Sequence, residues 1–193
     1  MKLSRMIRGW GYALLPSWSS SLHAKKRKGL FYRHSETGVL VCQVEQDRIF
    51  WEKFLHPSGG GSFLELGTGD GVVGSHTLGL ELRHGWRGLI CPGRGLAGRR
   101  AAATRACTVA ESGPVPPFPA VVDLLVIHRP EEHGEIWNRI LSKELRPRWV
   151  IVENADPNPS WARRLERRGY LFRWFFHDDE YFECPDPRRP GKE

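Results

Sequence analysis

From residue 43 onward the apolar positions switch repeatedly between a helical and a strand period. Val44, Ile49, Phe50 and Phe54 recur at helical spacing over residues 43–56, and Pro57 with Gly59-Gly60-Gly61 ends that run. Phe63-Leu64-Glu65-Leu66 is a short buried strand, followed by the glycine-rich turn Gly67-Thr68-Gly69-Asp70-Gly71. The same reading predicts helices over 75–84, 95–105, 131–141 and 160–168. It predicts strands over 86–91, 106–110, 121–127 and 149–153, with a Pro-rich loop at 113–119. Residues 170–176 and 181–183 read as a closing pair of strands, with His177-Asp178-Asp179-Glu180 as the charged turn between them. The run over 121–127 is continuously apolar except for Asp123, which suits a central strand of a parallel sheet. Strands alternate with helices and no internal repeat is seen, so the class is α/β with a mostly parallel sheet. Ligands of such sheets bind at the carboxyl ends of the strands, where the strand order reverses. The first glycine loop falls there.

The start of the chain has a different character. Leu3, Met6, Ile7 and Trp10 form one apolar stripe at i, i+3, i+4 and i+7, with Lys2, Arg5 and Arg8 off it. Pro16 and a serine-rich stretch end the pattern, and Lys25-Lys26-Arg27-Lys28 add a cationic cluster. Residues 1–35 hold eight basic residues and no acidic one. The other 158 residues hold 21 basic and 22 acidic residues, so the net +7 resides in the arm and the body is nearly neutral. Three readings of the arm stand side by side: a solvated or packed tail, a contact with an anionic membrane surface or acidic protein, and a targeting segment resembling a mitochondrial transit peptide. Nucleic acid is not the expected partner, because the folded body carries no excess charge. The longest apolar run in the arm, Tyr12 to Leu15, is too short for a signal-peptide core or a membrane span. The expected organisation is a basic arm over 1–38, one domain over 39–184 and a polar tail over 185–193. The expected location is cytoplasmic, with peripheral membrane attachment and organelle targeting left open.

Composition narrows the class without naming a chemistry. At 193 residues with 40% hydrophobic and 26% charged residues, the chain is of one-domain size and ordinary globular composition. Cysteines 42, 91, 107 and 184 include no closely spaced pair, so a zinc ribbon or a redox motif is not expected and the thiols read as reduced.

The glycine loop admits two frames. Residues 69–74, Gly-Asp-Gly-Val-Val-Gly, form a literal G-x-G-x-x-G between strand and helix, the pattern of a dinucleotide site. That frame wants an acid at the end of the next strand to hold the ribose, and the strand ends in Cys91-Pro92-Gly93. The other frame, Phe63-Leu64-Glu65-Leu66-Gly67-Thr68-Gly69-Asp70-Gly71, resembles the first motif of class I S-adenosylmethionine-dependent methyltransferases. Residues 43–91 carry the resemblance further, toward FkbM-type methyltransferases. Cys42-Gln43-Val44-Glu45-Gln46-Asp47, the glycine loop, Ser75-His76-Thr77, Leu80-Glu81 and Gly85-Trp86-Arg87-Gly88-Leu89-Ile90 match that family's segments in order and spacing. Asp123 to Ile127, Pro147 to Glu153 and Gly169-Tyr170 match more loosely.

The resemblance implies a Rossmann-like class I methyltransferase fold, with a mostly parallel seven-stranded sheet flanked by helices and a closing antiparallel pair. It implies methyl transfer from S-adenosylmethionine to a hydroxyl, commonly of a saccharide or natural product. The cofactor would be held by Gln46, Asp47, Glu65, Gly67, Thr68, Gly69, Asp70, Gly71, Ser75, Thr77 and the position of Cys91. His128 and Glu153 would face the acceptor. O-methylation benefits from a base or a divalent metal near the attacking oxygen, though no residues form a clear ligand set for a metal. His128, with an ordinary pKa near 6.5, is a candidate base; a hydrogen-bonded histidine at a strand end is the plainer reading. Glu153 orients the acceptor or caps the turn at 154–156. His177, Asp178 and Asp179 form a metal-compatible trio or a charged turn. Trp51, Trp86, Trp137, Trp149 and Trp174 sit where packing would use them, and Trp161 is a candidate for stacking on a sugar.

Three departures from the family cluster at the site. Cys91 stands where a ribose-holding glutamate is usual. His128 replaces an aspartate, with Glu131 one place beyond the usual glutamate. The stretch 108–121 is short for a substrate-covering element. A catalytically decayed scaffold on the same fold, docking through its basic arm, is therefore the alternative reading.

Overall fold

A computed structural model describes residues 49–55, 59–72, 74–92, 96–110, 122–130, 133–142, 144–153, 160–176 and 179–185. The basic arm, Gln46, Asp47, Glu131, His177, Asp178 and the tail lie outside the described residues.

A π-helical turn, Trp51–Leu55, precedes the sheet. The elements then follow in order: β1 (Ser62–Leu66), α1 (Leu78–His84), β2 (Arg87–Cys91), α2 (Leu96–Thr104), β3 (Thr108–Val109), β4 (Leu124–Ile127), α3 (Gly134–Leu141), β5 (Trp149–Glu153), α4 (Ser160–Arg167), β6 (Leu171–Phe176) and β7 (Asp179–Glu183). The seven strands lie in the order β3-β2-β1-β4-β5-β7-β6. The first five pair in parallel, and β7 enters antiparallel between β5 and β6.

Strand alternation divides the core into two layers. Leu64, Leu66, Leu125, Ile127, Val150 and Val152 pack with Ile136, Trp137 and Ile140 of α3 and with Ala162 and Leu165 of α4. Phe63, Leu124, Val126, Trp149 and Ile151 point the other way, onto Phe50, Leu55, Leu80 of α1, Trp86 and Ala101 of α2. Both faces of the central strands are therefore covered, which explains why 124–127 reads as an unbroken apolar run.

The differences from the predicted elements are physical. α1 starts at Leu78 rather than residue 75, because Ser75, His76 and Thr77 turn their donors onto Glu65 instead of continuing a helix. β4 starts after Asp123, whose carboxylate accepts from the backbone N–H and hydroxyl of Ser62 at 2.8 and 2.7 Å. The charged segment 177–180 is not a turn throughout: Asp179 and Glu180 open β7 and are buried. Asp179 pairs with Glu153 and Glu180 with Val152 across the ladder, so these charges line the sheet rather than solvent. Among the described residues no helix is long and apolar enough to cross a membrane.

Candidate functional site

β1 has β2 on one side and β4 on the other, so the crossovers diverge at its carboxyl end. The loop that leaves β1 is built on glycines at positive φ: Gly67 at 74°, Gly69 at 64° and Gly71 at 71°. The Gly67 N–H donates to the Cys91 carbonyl at 3.0 Å, and the Gly71 N–H to the Thr68 carbonyl at 3.1 Å. Asp70 Oδ1 accepts from the Val72 N–H at 3.0 Å. A β-carbon at Gly67 would lie 2.8 Å from the His128 carbonyl, whereas one at Gly69 would meet nothing within 4 Å among the described residues. The crest of the loop is thus clear of the other described residues while its base is closed. The Gly67→Ala variant is expected to lose about 1–3 kcal/mol to the dihedral alone, with the backbone contact adding to it. Gly69→Ala carries only the dihedral strain. Denaturant midpoints check the ranking, and an equal loss for both would mean the base of the loop is not packed this way.

Beneath the loop lies a network of buried charge. Glu65 points into the apolar α1/α2 layer and is fully buried. A carboxylate there is tolerable only with several donors. Glu65 Oε2 accepts from the Ser75 hydroxyl at 2.7 Å and the Thr77 hydroxyl at 2.5 Å. Its Oε1 accepts from the His76 backbone N–H at 2.8 Å and lies 3.0 Å from His128 Nε2. Arg105 Nη1 stands 3.8 Å from Oε2. His128 Nδ1 lies 2.8 Å from Glu153 Oε2 at the end of β5. His128 therefore bridges β1 to β5 from the end of β4. The structure brings Glu65, Ser75, Thr77, His128 and Glu153 into one cluster, with Glu153 joined to it through one carboxylate oxygen.

The electrostatics follow. Burial alone would raise the pKa of Glu65, but the hydrogen bond and charge of His128, helped by Arg105, outweigh it and hold the group at about 2. Burial would lower His128, but its bonds to Glu153 and Glu65 lift it to about 10. Burial pushes His76 down to about 4, with the His128 charge adding to the shift. At neutral pH His128 is thus an imidazolium and His76 a neutral ring, so the 3.5 Å approach of His76 Nε2 to Asp179 is not an ion pair. Burial pushes the Cys91 thiol up to about 11, so the end of β2 carries a neutral S–H rather than an anion. Thr68 is buried, and its Oγ1 has no hydrogen-bond partner among the described residues.

The sequence alone did not single out Arg105. Its side chain is fully buried. It donates to Glu81 Oε2 at 2.7 Å, the Gly71 carbonyl at 2.8 Å, Ser75 Oγ at 2.9 Å and Thr77 Oγ1 at 2.8 Å. One guanidinium therefore fastens the far side of the loop to α1. No local pattern separates it from Arg99, which is exposed on α2. Trp161 stacks on Trp137 at 4.6 Å and 16°, with the Arg164 guanidinium 5.1 Å from its ring centre. Arg163, Arg164, Arg167 and Arg168 are exposed along and just beyond α4. Among the described residues no group of three or more His, Cys, Asp or Glu side chains is placed to hold a metal.

No family model matches the sequence, and no curated protein matches it. Solved structures do. A methyltransferase from Pyrococcus furiosus aligns with a TM-score of 0.57 at 15% identity, over 86% of this chain and 98% of that one. Sp1610 of Streptococcus pneumoniae, described as a candidate tRNA (m1A22) methyltransferase, aligns with a TM-score of 0.51 at 12% identity, over 67% of this chain and 66% of that one. The METTL16 methyltransferase domain aligns with a TM-score of 0.50 at 15% identity, over 72% and 66%. At such identities the likeness is one of fold. The strand order, the antiparallel β7 and these neighbours together give the chain the fold of the class I S-adenosylmethionine-dependent methyltransferases.

Proposed function

We propose that the chain binds S-adenosylmethionine over the 67–71 loop and methylates a hydroxyl of a saccharide or natural product, as the FkbM-like order of its motifs implies. The observation that carries this reading is the loop itself. It stands at the divergence point of a class I sheet, and among the described residues nothing lies over Gly69 and the buried hydroxyl of Thr68 has no partner. A polar ligand group settling there gives that hydroxyl its missing partner.

The residues fit the two ends of such a cofactor unequally. The loop offers close backbone approach over Gly69 for the methionine end. At the ribose end, Cys91 offers a neutral thiol, a poor acceptor for two hydroxyls. When bound, the cofactor supplies an electrophilic methyl group. The chain's own task is to orient an acceptor hydroxyl in line with it and to take up the proton that the oxygen releases. Glu153 is the group proposed for that proton: it is about one-third exposed, at the carboxyl end of β5, with one oxygen held by His128.

Calorimetric titration with S-adenosylhomocysteine tests the reading. Binding at micromolar strength is expected, about −8 kcal/mol. Cys91→Glu is expected to tighten it roughly tenfold to a hundredfold, the equivalent of one charge-assisted hydrogen bond. Unchanged affinity in Cys91→Glu would sink the ribose argument. No binding at millimolar ligand would favour the second reading, a catalytically decayed scaffold. The neutral thiol of Cys91 and the enclosure of His128 between two carboxylates are the observations that favour it.

A further inference from the structure

His128 occupies the place where a base for the acceptor is expected, yet its surroundings give it other work. Its backbone N–H donates to the Leu66 carbonyl at 2.9 Å, which fixes it beside the start of the glycine loop. Its side chain is almost wholly buried. Each ring nitrogen has a carboxylate oxygen within hydrogen-bond distance, Glu153 Oε2 at 2.8 Å and Glu65 Oε1 at 3.0 Å. An ionised carboxylate only accepts, so a ring satisfying both must carry a proton on each nitrogen. Such a ring has no lone pair left with which to take a proton from substrate.

The bridge has two ends with different duties. Glu65 gathers Ser75, the His76 N–H and Thr77, and so sets the segment that follows the glycine loop. Glu153 closes β5 and is the group proposed to face the acceptor. His76 is the other titratable ring against His128, with centroids 5.3 Å apart, and Asp179 of β7 lies behind it. Arg105 backs Glu65 from the opposite side. His128 touches both Glu65 and Glu153 through its side chain.

We propose that His128 is a positioning residue that couples the cofactor side of the site to the acceptor side, by holding the Glu65 and Glu153 carboxylates on opposite nitrogens of one ring. The inference rests on the function proposed above, since it takes Glu153 as the acceptor-side group. A change at Glu153 then reaches the cofactor loop through His128.

A double-mutant cycle on the full chain tests this, with S-adenosylhomocysteine as the calorimetric probe. Glu153→Ala is expected to weaken binding about five- to tenfold when His128 is present, the scale of an ordinary coupling between sites. In a His128→Ala background the same change is expected to shift affinity by less than about twofold, the limit of additive behaviour. His128→Gln, which keeps a donor and most of the volume, serves as the second background should the alanine variant fail to fold. An equal effect of Glu153→Ala in both backgrounds would overturn the coupling while leaving the proposed function standing. Absence of binding by the unaltered protein would overturn both. The side-chain nitrogen resonances give an independent readout at pH 7.5: two protonated ring nitrogens for His128 support the bridge, and a neutral tautomer refutes it.

Discussion

Replacing Glu65 with alanine is expected to cost about 3–5 kcal/mol of unfolding free energy, the usual loss when one partner of a buried charge cluster is removed. The size comes from what is left behind. His128 keeps its proton largely because Glu65 and Glu153 flank it, and Arg105 sits fully buried against the same carboxylate. Without Glu65, one buried cation loses half of its compensation and another loses part. The hydroxyls of Ser75 and Thr77 also lose their acceptor in a region closed to water. For a chain of this length the melting temperature should fall by roughly 6–20 °C, at 2–4 °C per kcal/mol. Glu65→Gln keeps the shape and one acceptor oxygen but no charge, so its loss is expected to be smaller. Urea unfolding at pH 7 checks both variants. A loss under about 1 kcal/mol for the alanine variant, the scale of an ordinary surface contact, would mean the cluster contributes no net stability.

The same cluster shows what local sequence could and could not reveal. The strands were legible because each is a short apolar run bounded by glycine, proline or charge, as in Phe63 to Leu66 and Trp149 to Glu153. The glycine loop was legible because its positive φ angles demand glycine. Sequence alone makes helix α1 too long, since Ser75, His76 and Thr77 look like helix-starting residues and only the fold reveals the carboxylate that claims them. Asp179 and Glu180 resemble a turn in sequence because charge usually marks solvent. In the fold they open a strand paired with β5. Arg105 carries no local signal: its partners Gly71, Ser75, Thr77 and Glu81 lie on segments far from it in the chain. Local periodicity reports which face of an element is buried, not which charges meet when distant elements dock. His128 is the sharpest case. In sequence it is a histidine with an ordinary pKa at the end of a strand; in the fold it is an imidazolium fixed by two carboxylates.

That assignment makes stability depend on pH in a particular shape, with a maximum near pH 6.5. Consider first the alkaline side. His128 has a folded pKa of about 10 against an unfolded value of 6.5. Its contribution is fully present below pH 6.5 and is lost as pH rises through 10. Over that interval the folded state holds a proton that the unfolded chain has released, so stability falls by up to about 1.4 kcal/mol per pH unit for this one group. On the acid side two groups act in the same direction. His76, with a folded pKa of about 4, stays neutral while its unfolded counterpart takes up a proton below 6.5. Glu65, with a folded pKa of about 2, stays ionised while its unfolded counterpart protonates below 4.5. Stability therefore declines from pH 6.5 toward 4 through His76, and again from 4.5 toward 2 through Glu65. Buried Cys91 also lowers stability at high pH, since its folded pKa is about 11 against 9 unfolded, but that loss begins only near pH 9. None of His76, Glu65 and Cys91 contributes between pH 6.5 and 9, so that window reports on His128. Urea unfolding across it is expected to show a steady loss in the unaltered protein and a nearly flat line in His128→Gln. A flat line in both would mean that His128 is neutral in the folded state, and the ring could then serve as a base after all.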